Sequence, residues 1–272
     1  MARWQRWPFL VLVTAIYVFI VGPILVVLVA SISTTPYLAF PPAGFTLRWF
    51  REILTLGEFT DALVYSLEVA AFATVLSLTL GAWIGIALSR SRFPGSVALQ
   101  SFFLAPIVLP ELALAIGLLQ YFSQIGFIRG AVAVVLAHSM ICTPYAMRAI
   151  LAAATRFDRA LEDSALSLGA PPWRVLIDIV LPLLKPGLIS GGIMAFIISF
   201  DNVTMSLFLA APGSITLPAL LYNQAAETGL NTTLAAVCAL LVVFMLAIML
   251  LVERTVGLDR FFENVSAGRK AR

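Results

Sequence analysis

The sequence predicts an all-α membrane protein with six transmembrane helices and both termini in the cytoplasm. Three observations carry that expectation. Of the 272 residues, 61% are hydrophobic and 11% are charged, against roughly 45–50% and 25% in soluble domains. Apolar stretches such as 8–32 hold no charged residue, and that length matches the roughly 30 Å hydrocarbon core of a bilayer. Finally, the Lys and Arg residues fall almost entirely on one set of span ends, as orientation in a membrane demands.

The spans are predicted at 8–32, 62–88, 98–121, 127–149, 186–211 and 231–253. The first follows Arg3, Trp4, Arg6 and Trp7 but exceeds a signal peptide's apolar region of roughly 7–15 residues, so it reads as an uncleaved helix. Glu68 interrupts the second near one end. Between the third and fourth, Ser123–Phe127 leaves room for a tight turn only. Arg3, Arg6, Arg90, Arg92, Arg148, Arg156, Arg159, Arg174, Lys185, Arg254, Arg260, Arg269, Lys270 and Arg272 share one side, and Arg48, Arg51 and Arg129 the other. Fourteen against three puts the termini and the 155–185 loop in the cytoplasm. The net charge of +3 is therefore loop charge facing lipid, and no nucleic-acid partner is implied. Cys142 and Cys238 stand in apolar stretches, at a spacing that makes neither a disulfide framework nor a metal site.

Outside the spans, Leu47, Trp49, Phe50, Ile53 and Leu54 alternate with Arg48, Arg51 and Glu52 at helical spacing. That predicts a short amphipathic helix at the outer interface. The chain thus divides into 1–57 (first span and outer loop), a core at 58–253 with the 155–185 loop, and a cytoplasmic tail at 254–272.

The 155–185 loop reads as helix, stop and second short helix. Arg156–Leu168 carries Phe157, Leu161, Ala165 and Leu168 on one stripe. Gly169 suits the residue just past a helix end, and Pro171 or Pro172 can open the next helix. Trp173, Leu176, Ile177 and Val180 are expected on one face, with Pro182 and Pro186 ending that helix before the fifth span. Such a hairpin fits a groove on a partner protein; pattern alone equally allows a helix pair lying on lipid.

Residues 162–182 resemble the EAA loop of binding-protein-dependent ABC importer permeases, E-A-A-x3-G-x9-I-x-L-P. Asp163, Ser164 and Ala165 stand at the E-A-A positions, with Glu162 just before them. Gly169, Ile179, Leu181 and Pro182 fall at the required spacing. The resemblance implies a type I importer permease fold in the bacterial inner membrane, multi-pass. It also makes Glu162, Asp163, Ser164, Ala165, Gly169, Ala170, Pro171, Trp173, Arg174, Ile179, Leu181 and Pro182 a loop that docks an ATPase. The chain has no G-x-x-x-x-G-K-[ST] pattern, so ATP and Mg are expected on a separate partner and no cofactor on this chain.

Ionisable groups inside spans are costly and usually functional. Glu68, Glu111, His138 and Asp201 qualify, Asp201 lying roughly 23 Å into its span at 1.5 Å per residue. Pro106 and Pro110 before Glu111 suggest an interrupted helix lining a cavity. Ser199, Asn202, Thr204 and Ser206 make the surroundings of Asp201 unusually polar. Pro-Glu in the third span and Ser-Phe-Asp-Asn in the fifth resemble the polyamine (spermidine/putrescine) branch, most of all its second, PotC-like permease. Tyr65 departs from it, where relatives commonly have Asn. That branch implies a homodimeric ATPase, a second related permease chain and a periplasmic substrate-binding protein. Asp201, Asn202, Glu111, Ser199 and Thr204 would then line a pathway for a small cation such as a polyamine. The same acids could instead brace helices, and the same machinery could carry an amino acid derivative, a metal ion or a phosphonate. An intramembrane enzyme is disfavoured, because His138 is the only histidine and has no partner motif. A stand-alone secondary transporter would leave the 155–185 loop without a purpose.

Overall fold

The computed structural model describes residues 3–90, 94–127 and 130–256. Arg92, Arg129, Arg260, Arg269, Lys270 and Arg272 lie outside the described residues, as does most of the expected tail. The described residues form helices α1 (Arg3–Ala30), α2 (Arg48–Thr55), α3 (Gly57–Arg90), α4 (Ser96–Val108), α5 (Glu111–Gln124) and α6 (Ala131–Ala154). They continue with α7 (Ala160–Ser167), α8 (Pro172–Arg174), a π-helical segment (Val175–Val180), α9 (Leu181–Phe200), α10 (Thr204–Leu209), α11 (Leu217–Thr228) and α12 (Thr232–Val256). Among the described residues two compact units result, one from 3–61 with 221–255 and one built on 62–220.

Five helices are long and apolar enough to cross a bilayer, or six if the bent pair α4–α5 counts as one span. The third span, expected over 98–121 with an interruption near Pro106 and Pro110, is indeed broken. Leu109 is extended (ψ 144°), Pro110 follows it, and α5 leaves α4 at 102°. A residue before proline is driven out of the α region, which is the local cause.

A larger correction concerns Pro182 and Pro186. They do not end the short helix; Pro172–Phe200 runs on as one apolar rod. Its π-helical stretch lies immediately before Pro182, where a changed hydrogen-bond register accommodates a residue that has no N–H. The fifth span also stops at Phe200 rather than running to 211. Asn202 is responsible, because its Oδ1 accepts the Met205 N–H at 2.9 Å and starts α10 anew.

In the unit of 62–220, α6 is the central helix. Small residues let its neighbours approach closely, the usual packing device inside membranes. A Cβ on Gly81 of α3 would stand 2.8 Å from the Met147 backbone N, and one on Gly187 of α9 only 2.6 Å from Ala153 Cβ. Polar ties add to this: Ser77 Oγ donates to the Ser139 carbonyl (3.1 Å), and Leu217 N–H to Ser66 Oγ (2.7 Å).

In the other unit, the expected amphipathic helix is α2. It buries Trp49 and Ile53, and Trp49 Nε1 donates to the Ser33 carbonyl at 2.7 Å. The start of α12 is tied to the 33–37 segment, Thr232 Oγ1 donating to the Thr35 carbonyl at 2.7 Å. None of the most apolar window of α1 is buried within the chain, so its surface is left for lipid or another chain.

Candidate functional site

Two regions carry the residues that the sequence singles out. The first is the hairpin of α7, α8 and the π-helical segment. Helix α7 begins at Ala160, shorter than the expected Arg156–Leu168, because Asp158 Oδ1 accepts the Ala160 N–H at 3.0 Å. It ends in a full Schellman motif: Ala170 N–H reaches the Ala165 carbonyl and Gly169 N–H the Leu166 carbonyl, each at 3.0 Å. Gly169 has φ +87°, and nothing lies within 4 Å of where its Cβ would be. The glycine is thus required by backbone conformation and not by packing inside this chain. Pro171 is extended and Pro172 opens α8, as expected.

The surface of the hairpin is mixed. Leu168 is 89% exposed, Trp173 59% and Ile177 53%. Val175 and Val180 turn inward against Ile150, Ala154 and Leu184. The expected single face of Trp173, Leu176, Ile177 and Val180 is therefore split, since the π-helical register shifts the phase of the side chains. Asp163, Ser164 and Arg174 are exposed, while Ala165, Ala170, Ile179 and Leu181 are half-buried and Pro182 is exposed. Glu162 does not face outward. Its carboxylate meets the Arg90 guanidinium at 2.7 Å and is 12% exposed.

The second region lies where α4–α5 and α9–α10 are both broken. Glu111 opens α5, where a helix N-terminus favours an acid. Its Oε1 accepts a hydrogen bond from Asn202 Nδ2, so two chain breaks are held together by one side-chain contact. His138 of α6 is fully buried. One ring nitrogen is paired with Ser199 Oγ at 2.9 Å and the other with Ser206 Oγ at 3.2 Å. The histidine therefore braces both sides of the α9–α10 break. Removing the ring would strand the buried Ser199 hydroxyl, at about 1–3 kcal/mol for an unsatisfied group, while Ser206 Oγ would keep its bond to the Asn202 carbonyl. Ser199 is spent on this brace, and Thr204 is half-buried at the start of α10.

Asp201 is different. It is the residue that ends α9, and it is exposed within the chain. The sequence placed it inside a span; it sits instead at the carbonyl end of a helix. Negative charge already gathers there, which is the wrong end for an acid unless a cation arrives. Among the described residues its carboxylate has no hydrogen-bonded or ionic partner. Glu68 is also exposed. The sequence did not give the partners of His138 or the pairing of Arg90 with Glu162. Both join residues far apart in the chain, and no local pattern encodes them.

The family described as binding-protein-dependent transport system inner membrane component matches residues 77–257. The chain belongs to this family. Putrescine transport system permease protein PotI of Escherichia coli (strain K12) is 31% identical, over 83% of this chain and 82% of its own length. Spermidine/putrescine transport system permease protein PotC of Haemophilus influenzae is 28% identical, over 87% and 91%. Among solved structures, a bacterial ABC transporter involved in the import of the acidic polysaccharide alginate aligns with a TM-score of 0.76. That alignment covers 94% of this chain and 98% of the other at 16% identity, a likeness of fold alone. This member of the family is accordingly a transport component of the bacterial inner membrane, the permease subunit of an ATP-driven importer.

Proposed function

We propose that this permease forms half of a pathway for a small polyamine such as putrescine. It takes its energy from a separate homodimeric ATPase docked on residues 162–182. A second, related permease supplies the other half, and a periplasmic binding protein delivers the solute. ATP and Mg belong to the ATPase subunit. The termini and the 155–185 loop face the cytoplasm, in line with the clustering of Lys and Arg on those ends.

Asp201 carries the substrate reading. An unpartnered carboxylate at the negative end of α9, beside the Glu111–Asn202 contact, suits an ammonium group and repels an anion. The names of the relatives PotI and PotC, which specify putrescine and spermidine, point to the same chemistry. The alginate transporter shares the fold while importing an acidic polysaccharide, so charge preference has to come from side chains and not from topology. Exposed Leu168 and Trp173 beside a rigid Schellman turn support the docking reading, since a partner's groove is filled by such protruding apolar anchors.

Mechanistically, closing of the ATPase dimer would draw two such hairpins together. Because Pro172–Phe200 is one rod, displacement at the hairpin would be carried along α9 to the break at Asp201. Uptake of radiolabelled putrescine into proteoliposomes holding the complete importer tests the proposal. Saturable uptake that requires both ATP and the binding protein is expected; no uptake of putrescine or spermidine would refute the polyamine reading.

A further inference from the structure

Resting on the docking reading above, we propose that Arg90, Glu162 and Arg159 form a clasp. It makes the docking helix α7 and the end of α3 move as one body. Helix α3 is described as far as Arg90. Arg159, just before α7, donates one guanidinium nitrogen to the Arg90 carbonyl at 2.8 Å and the other to the Ser89 carbonyl. That places a cation at the carbonyl end of α3, where the helix dipole favours it. In return, the Arg90 side chain reaches into α7 and pairs with Glu162 at 2.7 Å. Each helix thus grips the other, one by a backbone cap and one by an ion pair.

The geometry sets this pair apart from an ordinary surface contact. Arg90 is 35% exposed and Glu162 only 12%, so solvent screens the pair less than it would two free side chains. The other carboxylate oxygen, Glu162 Oε1, is buried with no hydrogen-bond partner among the described residues. Glu162 therefore depends on Arg90, and losing either partner strands a charge in a poorly hydrated place. Ile86 of α3 and Ala165 of α7 pack on the same apolar cluster as Val175 and Val180, which carries load in compression. The clasp adds resistance to pulling apart, the motion an opening ATPase would impose. On this proposal α9 is not the sole transmitter; α3 is driven in parallel from the same hairpin.

The test uses the complete importer in proteoliposomes with Arg90→Glu, Glu162→Arg and the double exchange. Solute moved per ATP hydrolysed is expected to fall about tenfold in each single variant, with the ATPase still co-purifying with Arg90→Glu. The double exchange restores the ratio to within about threefold, as a mutual pair requires. A double variant no better than the singles, or singles with unchanged coupling, would overturn the clasp. Spin labels at Leu161 and Trp83 give a readout that needs no solute. Their separation is expected to stay constant between nucleotide-free and ATP-trapped states, and to change in Arg90→Glu. A separation that changes with ATP in the otherwise unmodified chain would also overturn it. Loss of ATPase co-purification from the unmodified chain would instead strike the docking reading.

Discussion

Gly169→Leu is expected to abolish ATP-driven uptake while the chain still inserts and folds. Two magnitudes separate those outcomes. A side chain held at φ +87° costs about 1–2 kcal/mol, against a typical folding stability of about 5–15 kcal/mol. The Cβ of the new side chain meets open space, because no atom of the described residues lies within 4 Å of its position. The damage therefore falls outside the chain, on whatever the turn is pressed against, and on the angle between α7 and α8. Gly169→Ala separates the two effects. It carries the conformational cost without the bulk, and is expected to keep most of the uptake. Uptake rate, membrane yield and co-purification of the ATPase measured together check this; normal transport by Gly169→Leu would show that the turn is not a docking surface.

The second large effect is expected from Asp201→Asn. The substitution preserves size and removes one charge at a helix end that has no cation of its own. At 4 Å a single pair is worth from about 1 kcal/mol in water to about 4 kcal/mol at an effective dielectric of 20. With about 1.4 kcal/mol per tenfold, a drop of about tenfold or more in putrescine uptake efficiency is expected. Basal ATP hydrolysis and assembly should stay near their original values. Glu111→Gln is expected to do less, because that carboxylate already accepts from Asn202 and sits at a favourable helix N-terminus. Equal uptake kinetics for Asp201→Asn and the unmodified chain would remove Asp201 from the proposed pathway.

Local chemistry made part of this legible in the sequence. Gly169 announces a helix end because only a backbone tolerant of positive φ closes a Schellman turn, and that needs no knowledge of the rest of the fold. The apolar stretches announce the spans, because a bilayer demands a fixed length of uncharged helix. The break before Glu111 follows from the way Pro110 restricts Leu109. The fates of Pro182 and Pro186 were not legible. Whether a proline ends a helix or is absorbed depends on the register of the preceding turn and on neighbours that satisfy the freed carbonyls. Here that register is π-helical. Asp201 was misplaced for a related reason, since the capping of Met205 by Asn202 competes with helix continuation at similar energy. The pairings of His138 with Ser199 and of Arg90 with Glu162 lie beyond any local rule. They exist only once α6 meets α9, and α3 meets α7.

These distinctions matter for where the cation preference resides. His138, Ser199 and Ser206 are engaged with one another, so on the proposed reading they would hold the site while Asp201 meets the cation. The Asp163-Ser164 head of the hairpin is the part that departs from the EAA pattern, and both residues are exposed. On the proposed docking reading their side chains would adjust the fit to a particular ATPase without disturbing the Schellman turn behind them.

The most direct measurement of the central claim is photo-cross-linking from position 168 in the assembled importer. Leu168 is 89% exposed beside Gly169 and belongs to the surface assigned to the ATPase. A photoreactive residue there is expected to form an adduct with the ATPase subunit, with a yield that changes when ATP is trapped. Adducts with lipid or with the second permease alone, at a yield indifferent to ATP, would contradict it.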